Sequence, residues 1–448
     1  MKRDLIEYLK TWKSEPLRKP LIIRGARQVG KTWLTDYFGK NYFTNYFTIN
    51  FELSPEFKSC FNRLDPEEIV SKIELTANTE LRGKDTLLFL DEIQECPSAI
   101  KSLRYFYERL PSLAVIAAGS LLEFVEKTED ISIPVGRVVN FNLQPLSFGE
   151  YLTAIGEEKL RNFLGTLGLQ SDMPESVIQK CESLLRMYMY SGGMPAAIVD
   201  WIAKKEFLST DLIHRSLLQN YRQDLGKYGK VINGDLLENT FLKVPGLVGS
   251  TFSYAAIDNT VQSRNVKQVI GALQKAKIIT RVSATSGAGL SFYTYVNKRR
   301  FKVLFLDVGL FQNSMGINSS TYLAQDLLAA YRGAVSEQFV GQQLLSLKKP
   351  YEDPDLFYWY RNTPGSEAEV DYLYQYNDKI IPIEVKSGKT GTLKSMHLFL
   401  KENNAPLGVR FSLLPLSLND NVLSIPLYAI ESLPELIKQA LRRVASGT

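Results

Sequence analysis

A run of eight residues near the N-terminus has the types and spacing of a phosphate-binding loop. It comprises Gly25-Ala26-Arg27-Gln28-Val29-Gly30-Lys31-Thr32 and matches G-x-x-x-x-G-K-[ST] at every fixed position. The glycines allow backbone angles that turn successive N–H groups around an anion, and a following helix adds its positive end. In this pattern Lys31 reaches the β- and γ-phosphates and the Thr32 hydroxyl ligates Mg²⁺. The run predicts a triphosphate site with magnesium; the alternative is a glycine turn with an exposed lysine.

Two acids end an apolar segment further along the chain. The segment LLFLDEIQ has the composition of a central parallel strand, and Asp91 and Glu92 stand where that strand would end. Asp91 is predicted to hold Mg²⁺ through its water shell, and Glu92 to polarise the attacking water as the base that phosphoryl transfer requires. An apolar strand ending in acids is common by itself. Its pairing with the phosphate-binding loop favours this interpretation.

Two further residues have both a catalytic and an ordinary interpretation. Ser120 ends the next apolar segment, where it would sense the γ-phosphate or cap a helix. Arg137, in PVGRV, would act on the nucleotide of a neighbouring subunit as an arginine finger, or form a surface salt bridge. The finger would require a homo-oligomer.

A second group of charged residues lies near the C-terminus. Glu369 and Asp371 are two residues apart in AEVDYLY, and Glu384 and Lys386 are two apart in IPIEVKSG. Because side chains two apart share one face of a strand, adjacent strands can bring Asp371, Glu384 and Lys386 to one patch. Two carboxylates with a carbonyl hold one or two Mg²⁺ ions, and a nearby lysine orients or deprotonates water. The alternative is an ordinary half-solvated strand, which also alternates charged and apolar residues.

The elements around these residues predict an α/β fold. Strand-like segments separated by helical stretches indicate a parallel sheet, with strands at 21–24, 44–53, 85–94, 113–120 and 133–148. The later parts are predicted to be a helical segment, a winged helix and a second α/β unit. The predicted domains are an α/β domain with the phosphate-binding loop, a helical subdomain, a winged-helix-like domain and a second α/β domain, at 1–150, 151–232, 233–329 and 330–448.

Basic residues in the winged-helix-like segment suggest a nucleic-acid surface. Arg264 and Lys267 lie on the helix that would enter a groove, and three basic residues cluster near the wing, at Lys298, Arg299 and Arg300. A solvated helix face or a protein-contact module explains the same residues. DNA is therefore one expected partner and a protein is the alternative.

Residues 20–150 resemble the AAA+-related P-loop ATPase module of a widespread prokaryotic family. The resemblance implies a P-loop ATPase domain at 1–150, a helical lid at 151–232 and a restriction-nuclease-like α/β domain at 330–448. Members of that family carry a C-terminal domain related to PD-(D/E)XK nucleases. The resemblance covers nearly the whole chain through the segments PVGRVVNFNLQPLSFGEYL, YSGGMPAAI, FKVLFLDVGL and EVDYLY…IPIEVKSG. It implies ATP and Mg²⁺ as cofactors.

The resemblance also assigns roles to particular residues. Gly192-Gly193-Met194-Pro195 resembles the lid motif of signal-transducing NTPases, in which the proline packs on the adenine; a helix-breaking turn is the alternative. Asp371, Glu384 and Lys386 follow the order of the nuclease motif. Glu337 falls where nuclease relatives place an additional acid.

Composition limits the remaining classes. The 448 residues are 45% apolar and 23% charged, which suits a globular chain of about three domains. No apolar window approaches a membrane span, and three scattered cysteines with two histidines disfavour a disulfide framework, a zinc site or histidine catalysis. A cytoplasmic protein without membrane contact is expected. The net charge of +5 permits nucleic acid as a partner without indicating it strongly.

Two functions are compatible with these patterns. In the first, a Mg²⁺-dependent ATPase uses its nucleotide state to control a DNA-directed, nuclease-like C-terminal domain. In the second, ATP binding operates a regulatory switch whose C-terminal part binds a protein or DNA partner and cuts nothing. A DNA-binding protein with a degenerate P-loop is disfavoured because Lys31, Thr32, Asp91 and Glu92 are all present.

Overall fold

The computed structural model of the chain consists of two compact units. It describes residues 1–83, 85–119, 134, 136–226, 233–289, 291–317, 319, 333–363, 366–387 and 392–446. Unit 1 comprises Met1–Gln144, Lys275–Lys277 and Lys348–Asp353. Unit 2 comprises Pro145–Gln274, Ile278–Leu347 and Pro354–Thr448. Both predicted boundaries after residue 151, at 232/233 and 329/330, therefore fall within unit 2.

The described strands of unit 1 form a parallel five-stranded sheet in the order β2-β3-β4-β1-β5. They are β1 Leu21–Arg24, β2 Asn45–Asn50, β3 Thr86–Asp91, β4 Ala114–Ala118 and β5 Val139–Asn142. All five predicted strands are confirmed, as is the α/β class of this part. The pairing of Ile22 with Ala117 and of Leu88 with Val115 shows that β4 lies between β1 and β3.

Helices cover the sheet of unit 1 because their apolar residues recur at helical spacing. They are α1 Leu5–Ser14, α2 Lys31–Tyr42, α3 Pro66–Ala77 and α4 Pro97–Arg109. A proline at the first position starts both α3 and α4, where its missing N–H costs nothing, and the Asp65 carboxylate caps α3 by accepting from Glu67 N. In α4 the buried residues Ile100, Leu103 and Phe106 contribute to a core shared with β3 and β4.

The helices of unit 2 begin directly after the sheet of unit 1. The predicted helical pattern is confirmed over the described residues 150–226 by α5 Phe148–Ala154, α6 Glu158–Gly165, α7 Glu175–Ser191, α8 Pro195–Lys204 and α9 Phe207–Gly226. The later helices are α10 Gly234–Lys243, α11 Tyr254–Ile257, α12 Ser263–Lys275, α13 Val308–Ser314, α14 Ala334–Ser346, α15 Lys394–Glu402 and α16 Leu433–Ser446. No described helix has the length and apolar character needed to cross a membrane.

The described strands of unit 2 form one mixed sheet of eight, in the order β12-β13-β11-β10-β9-β8-β6-β7. They are β6 Ile279–Thr285, β7 Val296–Phe305, β8 Leu356–Thr363, β9 Ser366–Tyr376, β10 Lys379–Val385, β11 Gly408–Ser412, β12 Ser417–Asn419 and β13 Val422–Pro426. β6 and β7 form the antiparallel hairpin expected of the wing, and β6 also pairs in parallel with β8. The wing segment and the C-terminal strands thus share a sheet.

Short 3₁₀ helices connect several of these elements. They are Pro55–Phe61, Ile93–Glu95, Val244–Leu247, Phe292–Tyr295 and Leu427–Ser432. Phe292–Tyr295 directly precedes β7, which begins at Val296.

Candidate functional site

The phosphate-binding loop lies between the end of β1 at Arg24 and the start of α2 at Lys31. Gly30 has φ +96°, a left-handed conformation that favours glycine. Gly25 is required for a different reason, because a Cβ there would lie 2.4 Å from the Leu143 carbonyl oxygen. The loop conformation therefore depends on both glycines of the motif.

Lys31 lies over this loop. Its Nζ donates to the carbonyl oxygens of Gly25 at 3.0 Å and Ala26 at 2.8 Å, and the residue is only 7% exposed. An ammonium held this way is positioned before any phosphate arrives, and charge-assisted bonds to phosphate oxygens are stronger than bonds to neutral carbonyls.

Arg3 supports the loop from behind, and no motif in the sequence points to this residue. Its guanidinium donates to the carbonyl oxygens of Val29 at 3.0 Å and Gln144 at 2.6 Å, and the residue is almost completely buried. The contact ties α1 and the segment after β5 to the middle of the phosphate-binding loop.

Asp91 meets the loop at the carboxyl end of the sheet. Its Oδ2 accepts from Thr32 Oγ1 at 3.0 Å and from Asn50 Nδ2 at 3.1 Å. Burial raises the pKa of the Asp91 carboxyl above its ordinary value, and the charge of Glu92 adds to this shift. Asn50 was missed in the sequence, although its place at the end of β2, opposite Asp91, is the expected signal for such a partner. The two predicted Mg²⁺ ligands, Thr32 and Asp91, are thus in direct contact.

Glu92 follows Asp91 in a left-handed conformation, with φ 47°. Its Oε2 accepts from Gln94 Nε2 at 2.7 Å. This bond holds the carboxylate beside the sheet end, and water activation would require the carboxylate to face the γ-phosphate.

The remaining predicted nucleotide contacts have separate outcomes. Ser120 lies outside the described residues. Arg137 forms an ion pair with Glu108, its Nε lying 2.8 Å from Glu108 Oε1, and the side chain is 44% exposed. Within the chain it therefore occupies the salt-bridge role, and its action on a neighbouring subunit stays a prediction.

The Gly-Gly-x-Pro turn lies in unit 2, between α7 and α8. Gly192 has φ +68°, and a Cβ on Gly193 would lie 2.2 Å from the Leu146 carbonyl oxygen. Pro195 is half-buried and is the first residue of α8, a favoured position for proline. Its contact with adenine stays a prediction.

Asp307 anchors this turn, and no motif in the sequence points directly to this role. The completely buried carboxylate accepts from Gly193 N at 2.6 Å and from Gln342 Nε2 at 3.1 Å. It also caps α13 by accepting from the N–H groups of Gly309 and Leu310. Gln342 belongs to α14, so one carboxylate joins the turn to that helix.

Replacing Asp307 by alanine is expected to lower the free energy of unfolding by about 3 kcal/mol or more. Four buried N–H donors, three from the backbone and one from Gln342, would lose their acceptor, at roughly 1–3 kcal/mol each. Urea denaturation followed by circular dichroism measures the change. Asp235→Ala, an exposed acid in the first turn of α10, is the control and should leave the midpoint unchanged. Equal midpoints for both variants would contradict the role given to Asp307.

The predicted C-terminal acids come together in unit 2. Tyr372 of β9 lies opposite Ile383 of β10 in an antiparallel register, which places Asp371 beside Glu384. Asp371 Oδ2 accepts from Val385 N at 2.8 Å. Lys386, just beyond β10, contacts Glu384 Oε1 through its Nζ at 2.6 Å.

Lys302 of β7 lies among these acids, and sequence reasoning missed it. Its Nζ is 2.9 Å from Glu337 Oε1 and 3.5 Å from Asp371 Oδ1, and it also contacts Glu369. Burial alone would lower the pKa of Lys302, but the three carboxylates raise it above the ordinary lysine value. A single lysine within the buried run Phe301–Phe305 is the signal that would have found it.

Burial is the largest cause of the raised pKa values of two of these acids. It raises the pKa of Glu337 to about 7 and that of Glu384 to about 7, with Asp371 adding to the shift of Glu384. Glu384 Oε2 has no hydrogen-bond partner within the described parts of the chain. No group of three or more His, Cys, Asp or Glu residues arranged to hold a metal ion occurs among the residues that the structure describes.

The predicted basic surface residues remain accessible. Arg264 and Lys267 on α12 are exposed, as are Lys298 and Arg299 on β7. Arg300 lies over the Tyr360 ring, 4.1 Å from its centroid. Arg264 and Lys267 are thus accessible on α12, and contact with a nucleic acid stays a prediction.

Three family models match the chain. Residues 17–152 match a family described as an AAA domain. Residues 182–321 and 332–430 match two domains of unknown function, DUF8612 and DUF4143. Comparison with curated proteins gives no match. Residues 17–152 therefore form a P-loop domain of the AAA type. The descriptions of the two families matched by residues 182–321 and 332–430 name no activity.

Several solved structures resemble the chain at low sequence identity and low TM-score. The Walker-type ATPase PABY2304 of Pyrococcus abyssi shares 15% identity over 70% of this chain and 95% of its own, with a TM-score of 0.44. AMPPCP-bound DnaA from Aquifex aeolicus shares 16% over 62% and 90%, with a TM-score of 0.29. The ORC2 protein of Aeropyrum pernix, in ADPNP–ADP complexes, shares 14% over 72% and 95%, with a TM-score of 0.33. These TM-scores are too low to support an inference about activity.

Proposed function

We propose that the protein is a Mg²⁺-dependent ATPase whose nucleotide state controls a DNA-directed, nuclease-like part of unit 2. The ATPase half of the proposal depends on one observation, the 3.0 Å hydrogen bond from Thr32 Oγ1 to Asp91 Oδ2. It brings the loop hydroxyl and the strand-end carboxylate together where magnesium would bridge them to the phosphates. The matching AAA domain supports the same activity.

In this proposal each group of the site has a defined task. The amides of the phosphate-binding loop and Lys31 bind the phosphates, while Thr32 and Asp91 hold the hydrated magnesium. Magnesium neutralises charge that develops on the transferring phosphoryl group. Glu92 would accept a proton from the attacking water. The Glu92 carboxylate would first have to break its hydrogen bond with Gln94.

Contacts inside unit 2 support control of the acidic residues by the Gly-Gly-x-Pro turn. The turn donates to Asp307, and Gln342 of α14 donates to the same carboxylate. The first turn of α14 carries Glu337, whose carboxylate meets Lys302. A displacement of the turn would therefore be transmitted along a single helix to the acids.

The DNA-directed part rests on charge and on the nuclease-like order of Asp371, Glu384 and Lys386. In this proposal Asp371 and Glu384 would hold a divalent ion, which would supply Lewis-acid activation of the phosphate, and Lys386 would orient the water. The exposed Arg264 and Lys267 on α12 would contact DNA phosphates.

The alternative is a switch that binds a partner without cutting it. It is favoured by the lysine pairing of the acids, since each of the four carboxylates contacts Lys302 or Lys386. Groups already paired in this way can be structural.

A cleavage assay separates these two functions. The full chain is incubated with Mg²⁺ or Mn²⁺ and linear, branched or single-stranded DNA, with and without ATP. We expect metal-dependent cleavage that is lost in both Asp371→Ala and Lys386→Ala, because each removes a group that acts on the phosphorus or the water.

Matched controls are available at Asp378, in the turn between β9 and β10, and at Lys379, the first residue of β10. Asp378→Ala and Lys379→Ala remove an exposed acid and a neighbouring lysine and should leave cleavage unchanged. Cleavage of none of the substrates by the wild-type chain would favour the switch.

A further inference from the structure

The acidic residues of unit 2 fall into two groups that differ in their ion-pair and hydrogen-bond partners. On one side, Glu337 and Glu369 contact the Lys302 ammonium, which also lies 3.5 Å from Asp371 Oδ1. On the other side, Glu384 is 7% exposed, and its Oε2 lacks a hydrogen-bond partner among the described residues. A buried carboxylate oxygen without a partner is costly and points to a missing cation or donor.

We propose that the Lys302 ammonium permanently occupies one of the two cation positions of this site, so that the site takes a single divalent ion at Asp371 and Glu384. This inference rests on the proposed nuclease-like function of unit 2. The sequence allows either one or two divalent ions at these carboxylates, and the inference selects one. Glu337 is then held by Lys302 and is not a metal ligand.

Burial fixes Lys302 in this position. The residue is 2% exposed, and its Nζ lies 5.3 Å from the centroid of the Tyr358 ring. A buried ammonium that left its carboxylates would lose these charge-assisted contacts without gaining water. A second ion would have to displace the Lys302 ammonium from its carboxylates. The ammonium would then be a buried charge without a partner.

Charge balance supports the same stoichiometry. The four carboxylates of Glu337, Glu369, Asp371 and Glu384 face the ammonium groups of Lys302 and Lys386. When all four carboxylates are ionised, two negative charges remain, which one divalent ion neutralises. Arg410 pairs with Glu384 in the register of β10 and β11 and adds positive charge, which disfavours a second ion.

The test counts bound Mn²⁺ by electron paramagnetic resonance on the full chain without nucleotide. All samples carry Asp91→Asn, so that the nucleotide site contributes no ion. We expect one ion per chain with Lys302 present and two with Lys302→Met. The control Lys298→Met, an exposed lysine on the same strand, should keep the count at one. An equal count in the Lys302→Met chain and its parent would overturn the proposal, as would two ions in the parent.

A second pair of variants keeps the test decisive if Lys302→Met does not fold. Glu337→Gln in the parent should retain the ion, because Lys302 and not the ion holds this carboxylate, whereas Glu384→Gln should lose it. Loss of the ion in Glu337→Gln would overturn the proposal. An ion count that Glu384→Gln leaves unchanged would also overturn it. Neither result bears on ATP hydrolysis, which is measured separately and tests the ATPase half of the proposed function.

Discussion

Lys31→Ala should reduce ATP turnover at least ~100-fold and weaken binding of ATP with Mg²⁺, because charge-assisted bonds to the β- and γ-phosphates are lost, at about 1.5–3 kcal/mol each. The substitution also removes the two bonds that Lys31 makes to the loop carbonyls. Steady-state phosphate release and calorimetric titration with ATP measure the two effects.

Lys40→Ala is the matched control for this experiment. Lys40 lies in the last turn of the same helix and is exposed, so its loss should leave turnover and affinity unchanged. Turnover that survives in Lys31→Ala would mean that the phosphate site has been assigned to the wrong residues. A folded wild-type chain that binds no adenine nucleotide in the presence of magnesium would remove the basis of the whole scheme.

Glu92→Gln should separate binding from hydrolysis. The amide retains the size of the side chain and its hydrogen bond with Gln94, so ATP binding should persist. It cannot accept a proton from water, and loss of a general base typically slows a reaction by about 10²–10⁴-fold. Single-turnover hydrolysis with excess protein isolates this chemical step from product release.

Glu95→Gln provides the control. Glu95 is exposed in the 3₁₀ helix Ile93–Glu95, which directly follows Glu92, and Lys58 is its ion-pair partner. It should hydrolyse ATP at the wild-type rate. If Glu92→Gln also hydrolyses ATP at that rate, Glu92 is not the base. If it no longer binds ATP, Glu92 has a structural role in the loop.

The parts of the fold that could be predicted are those encoded by local patterns. The β1 strand predicted over 21–24 is Leu21–Arg24, because a short apolar run before a glycine-rich loop determines both ends. The helix expected after the phosphate-binding loop is Lys31–Tyr42. In both cases neighbouring residues carry the whole signal.

The missed residues depend on contacts between segments far apart in the sequence. Asn50 reaches Asp91 only because β2 pairs with β3, and a polar strand end does not reveal its neighbour. Lys302 was hidden for the same reason, since β7 reaches the acids through an arrangement of strands that no local pattern specifies. Asp307 could be predicted as a helix cap but not as the anchor of Gly193.

The parallel pairing of β6 with β8 has a consequence for how the chain can be divided. A fragment that starts at residue 330 would retain the acids of β9 and β10 but lose β6, which leaves the backbone of β8 as an unprotected sheet margin open to self-association. The fragment would also lack Lys302, so its excess of buried negative charge would favour unfolding or adventitious metal uptake. Truncations should therefore begin before Ile279, so that the hairpin stays with the strands it completes.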